Sequence, residues 1–305
     1  MTSDDLKAHK EAIAANQAML KADEYDATES VEIRSILLTK QLIEQDFSTP
    51  IVRKTVEESN IVYGDPKLPN CGFSKQDLPD PKTFVQKYPN SILKPGMKLL
   101  DFACGTGIIS QLYLPYIGPQ GQVIGMDIND DFLNKFNQRA QNHDNMKCYN
   151  YDILDPELTQ ELNDKFGNQF DAIVCTLSYH HIDNYEKVTR RLVDFLKPQG
   201  WLVIVDFYNE DVEDVSRQQN AAVRHMGGLK IDNLERIFKH VANLNHVSAA
   251  REFKYQSWEL GLFINTHCPQ SIINAMNDGT LPSKKENENN VYLIEQSIIM
   301  AIGQK

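Results

Sequence analysis

Three textures of apolar and polar positions follow one another along the chain. From Asp4 to Asp23, and again from Thr28 to Phe47, apolar residues recur at helical spacing. In the second stretch Val31, Ser35, Leu38 and Leu42 share one face, which predicts an amphipathic helix. Residues 64–96 have no such period and hold six prolines. Proline fixes φ and removes an amide donor, so this segment reads as irregular chain laid over a surface. From Met97 the texture changes to short apolar runs, "MKLLDF", "QVIGMD", "MKCYNYD", "FDAIVCT" and "WLVIVDF". Helical patterns separate them at 108–117, 131–142, 156–166 and 185–196. Strands alternating with helices at this spacing predict a parallel sheet covered on both faces.

Beyond the fifth run the alternation loosens. "DVEDVSRQQNAAVRHMGG" places Val212, Val215, Ala222 and Met226 on one face and stops at Gly227 and Gly228, so 208–230 reads as an inserted lid helix. "KIDNLERIFKHV" predicts a further helix, and "HVSAAREFKYQSW" and "VYLIEQSIIMAI" two closing strands, with a solvated loop at "SKKENENN". The expected architecture is α/β: residues 1–95 form N-terminal helices and a proline-rich cap, and residues 96–305 a seven-stranded, mostly parallel, doubly wound sheet. The N-terminal helices are expected to cap the active site.

Composition narrows the partners. The formal charge of -11 repels phosphate backbones, so nucleic acid is not expected. No apolar run reaches the length of a membrane span. The first residues have neither a secretory apolar core nor an Arg-rich transit pattern. Cys71, Cys104, Cys148, Cys175 and Cys268 are scattered, with no CxxC pair. Neither a disulfide framework nor a metal site is expected, and a reducing cytoplasm is the natural setting.

The chemistry concentrates in "LLDFACGTGIIS", residues 99–110, where a strand runs through a glycine turn into a helix. Such a turn usually cradles a nucleotide, and Asp127, twenty residues after Gly107, matches the offset of a ribose-binding acid in dinucleotide enzymes. Asp101 opposes that reading. A carboxylate a few Å from a pyrophosphate costs roughly 1 to 4 kcal/mol at intermediate dielectric, and no Lys or Arg in the loop offsets it. A cationic ligand without phosphate fits better, which places a nicotinamide-dependent oxidoreductase behind a methyl transferase.

"LLDFACGTG", "VIGMDIND", "NYDILD", "FDAIVCTLSYHHID" and "LKPQGWLVIVDF" taken in order resemble the motifs of a class I, Rossmann-like S-adenosylmethionine-dependent methyltransferase. Ala103 replaces the glycine common in that family, a variant similar to fungal and bacterial small-molecule methyltransferases. The resemblance implies S-adenosylmethionine as cofactor. It implies that Asp101 helps receive the ligand's ammonium through the loop, and that Ala103, Gly105 and Gly107 let backbone approach its methionine part. It implies that Asp127 with Ile128 holds the ribose and Asp152 with Ile153 the adenine, while Cys175 and Thr176 lie near the departing methyl. Tyr25 is expected to cover the cofactor. Strand-terminal acids also serve as helix N-caps, and buried cysteines as small apolar residues.

For catalysis the candidate bases or orienters are His181, His225 and Tyr179. The chain has no "[DNS]PP[YFW]" signature of amide methylation and no basic RNA-binding tail. The expected acceptor is a small molecule bearing a thiol or hydroxyl, met by a monomer or homodimer. A protein acceptor, or a catalytically silent S-adenosylmethionine-binding subunit, are the alternatives.

Overall fold

Strand residues sort by parity onto two cores, one on each face of a single sheet. The structure, a computed structural model, describes all residues except 1, 2, 20, 60, 209–221, 226, 227 and 287, and omits the side chains of 3–6, 19, 56 and 59. Its strands are β1 (Val62–Tyr63), β2 (Lys98–Phe102), β3 (Gln122–Asp127), β4 (Met146–Asn150) and β5 (Phe170–Thr176). They continue with β6 (Leu196–Phe207), β7 (Asn245–Leu260), β8 (Ser283–Glu286) and β9 (Asn289–Gln304). The order across the sheet is β4-β3-β2-β5-β6-β9-β7-β1, and β8 pairs with β9. All neighbours are parallel except where β9 meets β6, β7 and β8.

Leu99, Val123, Ala172, Val174, Val203 and Val205 feed one core, while Leu100, Ile124, Ile173, Cys175, Leu202 and Ile204 feed the other. Successive side chains of a strand point to opposite faces, so near-continuous apolar runs are what a sheet covered on both sides requires. The helix Ile108–Ile117 and Phe136 of the helix Asp130–Ala140 close the first face. The helices Thr159–Phe166, Tyr185–Phe195 and Ile231–Arg236 close the second.

The seven expected strands are present, and two short ones extend the sheet. Val62–Tyr63, inside the tract expected to be irregular, pairs with β7 along the sheet edge. "SKKE" is strand β8 and not a loop, and its side chains stay largely exposed as its polarity requires. The helices Gly261–His267 and Gln270–Asn277 lie in the connection between the closing strands. Most of the expected 208–230 lid helix lies outside the described residues. Residues 222–225 are described and are not helical, so His225 sits in a bend instead of at a helix terminus.

The N-terminal region divides into two parts of different character. α1 (Ser3–Met19) and α2 (Ala22–Asp26) lie against the loops that follow β2, β3 and β4. α3 (Glu29–Glu44) is instead part of the core. Its Ile33, Leu38, Leu42 and Ile43 are buried with residues of the central strands, and Val31 and Ser35 are buried too. Burial of several such side chains contributes on the order of 1.5–3 kcal/mol each, so α3 is structurally inseparable from the sheet.

Candidate active site

At the carboxyl end of the sheet, where β2 separates strands that lead in opposite directions, a cavity of about 240 Å³ opens. Open α/β sheets bind ligands at this switch point. The chain leaving β2 turns sharply: Ala103, Gly105 and Gly107 all take left-handed φ, at +55°, +55° and +82°. Glycine accepts this freely and alanine at a cost. Gly107 has a packing constraint as well, since a Cβ there would come within 2.5 Å of the Phe136 ring.

Ala103 and Gly105 line the cavity, whereas Gly107 does not. Gly107, expected to let backbone approach the ligand, starts the helix Ile108–Ile117 and makes room for Phe136. Asp101 also lies off the wall. It is 1% exposed, accepts a hydrogen bond from Ser110 Oγ, and leaves its Oδ1 without a partner. Burial raises its pKa to about 7 despite the Ser110 hydroxyl, and the nearby Asp127 adds to the rise. It braces the loop from behind, and any influence on a ligand passes through that loop.

Asp127 and Asp152 both reach the cavity, with Ile128, Ile153 and Thr176 beside them. Asp127 holds the turn together: Oδ2 accepts from Gly105 N at 2.8 Å, and Oδ1 from Ile128 N at 2.7 Å and Asn129 N at 2.9 Å. Burial pushes its pKa up, while those three amides pull it down. Asp152 accepts from Leu154 N at 3.0 Å. Its other oxygen meets His9 Nε2 of α1 at 2.8 Å. One face of α1, with His9, Ala12, Ile13, Asn16 and Gln17, roofs the cavity. Gln17 donates to Ile128 O at 2.7 Å, and Thr106 Oγ1 donates to Asp26 of α2 at 2.6 Å. Tyr25 covers the loop from the same side, 5.3 Å between centroids from Phe132.

Cys175 is fully buried off the wall, with its thiol pushed well up by burial, so it offers no reactive sulfur. Tyr179 is equally buried, its hydroxyl 3.2 Å from Thr189 Oγ1, and it is not part of this wall. His225 places Nε2 against Ile182 O at 3.1 Å and packs edge-on to Tyr185. It too lies off both cavity walls described here. Of the three candidate bases, only His181 is brought to the site. The turn Tyr179–His181 is one 3-10 turn, so its residues fan out in different directions.

His181 is also part of the wall of a second cavity, of about 110 Å³. Tyr25 and Leu177 are the other residues common to both. The second cavity adds Arg34 of α3, His180, Phe207, Glu259 and His267. Arg34 Nη1 and Glu259 Oε1 form a buried ion pair at 2.6 Å. Ser30 and Ser257 donate further hydrogen bonds to Glu259. Arg34, Glu259 and His267 lie outside every motif quoted above. Only the fold brings α3, the end of β7 and the following helix together.

The sequence profile of the methyltransferase domain family matches residues 93–256, more than half of the chain. The chain belongs to that family. With its motif order and sheet, it is a class I S-adenosylmethionine-dependent methyltransferase. An uncharacterized methyltransferase of Schizosaccharomyces pombe is 28% identical to it, over 78% of this chain and 81% of its own. A ubiquinone/menaquinone biosynthesis C-methyltransferase of Shewanella sediminis is 30% identical over 41% of this chain and 48% of its own length. A Bacillus halodurans protein classed with methyltransferases shares the fold, at 16% identity and a TM-score of 0.50, over 74% of this chain and 98% of that one.

The first cavity of the methyltransferase fits S-adenosylmethionine on its own chemistry. Its wall carries Asp127, Asp152 and Asp183 and neither Lys nor Arg, so it suits a sulfonium and disfavours phosphate. Phe102, Met126, Ile128 and Ile153 add apolar surface for a base. Among the described residues no helix is long and apolar enough to cross a membrane.

Proposed function

We propose that the protein transfers the methyl group of S-adenosylmethionine to the thiol or hydroxyl of a small molecule held in the second cavity. The observation that carries this reading is the wall shared by Tyr25, Leu177 and His181, which puts an acceptor in the second cavity next to a donor in the first. Asp127 would hold the ribose, Asp152 the adenine, and the Ala103–Gly105 backbone the methionine part, with α1, α2 and Tyr25 as the cap. In the division proposed from the sequence, residues 1–95 cap a core of 96–305, although α3 is packed as core.

The bound donor supplies an activated methyl on a sulfonium. The acceptor's lone pair forms the new bond to carbon as the carbon–sulfur bond breaks, its electron pair remaining on sulfur. Alignment of the two ligands contributes most of the acceleration. Burial lowers the His181 pKa to about 3, with His180 adding to the fall, so its imidazole is neutral at physiological pH. Its Nδ1 donates to Ala222 O at 2.6 Å, which leaves Nε2 as the acceptor of a hydrogen bond from the substrate. The 1:1 arrangement of donor and acceptor cavities favours a small metabolite over a protein side chain, which would need an open groove. A carbon acceptor is the second reading, favoured by the C-methyltransferase names of relatives such as the Shewanella protein.

Cell extract incubated with methyl-labelled donor tests the proposal. Label should appear in a small-molecule product on sulfur or oxygen. Label confined to protein or nucleic acid would overturn the acceptor class, and label on carbon would select the second reading.

A further inference from the structure

Three histidines of the second cavity, His180, His181 and His267, bring one ring nitrogen each within 4.8 Å of the others. His180 and His267 are buried and His181 partly so. Their ring centroids stand 4.1, 5.3 and 5.4 Å apart. Each ring is held from behind through Nδ1. His180 Nδ1 lies 2.6 Å from Asp206 Oδ1, and His181 Nδ1 lies 2.6 Å from Ala222 O. His267 Nδ1 lies 3.2 Å from Phe263 O and 2.7 Å from Thr266 Oγ1. A carboxylate or carbonyl at Nδ1 requires the proton there, which leaves the lone pair on Nε2. His180 Nε2 is buried and has no hydrogen-bond partner, although the ring is only 2% exposed and lines the cavity.

A general-base role explains one such histidine and not three convergent ones. Their Nδ1 contacts leave the second nitrogen of each ring free to turn toward the cavity. Three imidazoles, each with its far nitrogen bound to a carboxylate or carbonyl, match the donor set and outer shell of a catalytic divalent metal site. Tetrahedral zinc needs nitrogen pairs roughly 3.4 Å apart, so modest side-chain rotations close the remaining gap. Arg34 is the cation facing the site, and Glu259 neutralises it at 2.6 Å. Asp206 adds a buried negative charge behind His180.

We propose that His180, His181 and His267 bind one divalent transition metal ion, with zinc the best match, in the acceptor cavity. Three neutral protein ligands would leave the ion room for one further ligand, the arrangement of catalytic rather than structural sites. This inference rests on the reading that the acceptor enters this cavity. With the ion bound, His181 Nε2 would ligate it in place of the substrate hydrogen bond, and the acceptor's sulfur or oxygen, bound to the same ion, would lose its proton to solvent and meet the donor's methyl as a stronger nucleophile. Such an ion would lower the pKa of the acceptor it binds.

Zinc and cobalt(II), added to chelator-treated full-length protein in the absence of methyl donor, provide the test. One zinc per chain should be retained on dialysis, and cobalt(II) should give the intense visible bands of a four-coordinate site. His267→Ala and His181→Ala should each weaken retention about a hundredfold or more, and Asp206→Asn about 10- to 100-fold. Melting curves of the metal-free variants separate lost ligation from lost folding. Stoichiometric binding that is lost with the histidines supports the site, even if label goes to an acceptor other than a thiol or hydroxyl. Absence of retained metal, or retention unchanged in both histidine variants, overturns it. Undiminished thiol or hydroxyl methylation by metal-free protein would do the same while leaving the proposed acceptor standing.

Discussion

The two cavities share three wall residues and are built in opposite ways. The donor cavity comes chiefly from short contiguous stretches at successive strand ends, "FACGT", "MDIN", "YDI" and "TLS", each carrying its own turn chemistry. The acceptor cavity is assembled from α3, the turn after β5, the end of β7 and the helix after it, more than 200 residues apart in sequence. A ligand common to a whole family can be held by local backbone geometry. A ligand particular to one protein is met by side chains that only the fold brings together. Variants in each half test that contrast.

The largest effect is expected in the acceptor half. Arg34→Met leaves Glu259 charged and 1% exposed, which costs about 3–5 kcal/mol and lowers the melting temperature accordingly. Arg34→Met combined with Glu259→Gln should recover much of the loss, and a double variant no more stable than the single would show that charge is not the cause.

Asp101 comes next, and its effect depends on pH. Burial holds its proton up to about pH 7 in the folded state, whereas an unfolded carboxyl releases it near pH 4. The associated stability is complete below about pH 4 and is lost as the pH rises to about 7, a change of about 4 kcal/mol. Asp101→Asn should flatten this dependence, so its melting temperature relative to the wild type rises between pH 5 and pH 8. A constant difference would contradict the assignment.

In the donor half, Asp127→Ala removes the anchor of Gly105, Ile128 and Asn129 together with the ribose partner. Calorimetry should find S-adenosylmethionine bound weaker by about 1.5–3 kcal/mol. Equal weakening by Arg34→Met would erase the distinction between the halves. The smallest effect belongs to Ala103. Its φ of +55° is unfavourable for alanine, so Ala103→Gly should stabilise the protein by under about 1 kcal/mol in denaturant titration.

The same contrast decides what the sequence alone could reveal. β3 and β5 occupy the residues read from their apolar runs, and the helix Ile108–Ile117 begins and ends where its pattern does. Buried parallel strands and amphipathic helices leave those signatures because packing demands them. Asp127 and Asp152 were legible because strand-end position implies the site. Tyr179 was misplaced because a single 3-10 turn has no periodicity from which to read a face. His9, Arg34, Glu259 and His267 carry no local signal, since their meaning lies in pairings such as His9 with Asp152 and Arg34 with Glu259. β8 was hidden because an exposed edge strand has no buried face to pattern it.

The roof formed by α1 has a kinetic consequence. Among the described residues, the polar contacts that tie it over the donor are those of His9 with Asp152, Gln17 with the Ile128 carbonyl, and Arg224 with the Ala8 carbonyl. At about 1 kcal/mol per hydrogen bond, lifting it is cheap enough to occur in every catalytic cycle. Donor and spent donor would pass beneath it, so an ordered turnover is expected if the roof must close before the acceptor is held. S-adenosylmethionine would then enter first and its demethylated product leave last. Product-inhibition patterns will therefore be competitive between those two alone, and removing the His9 tether will speed departure at the expense of retention.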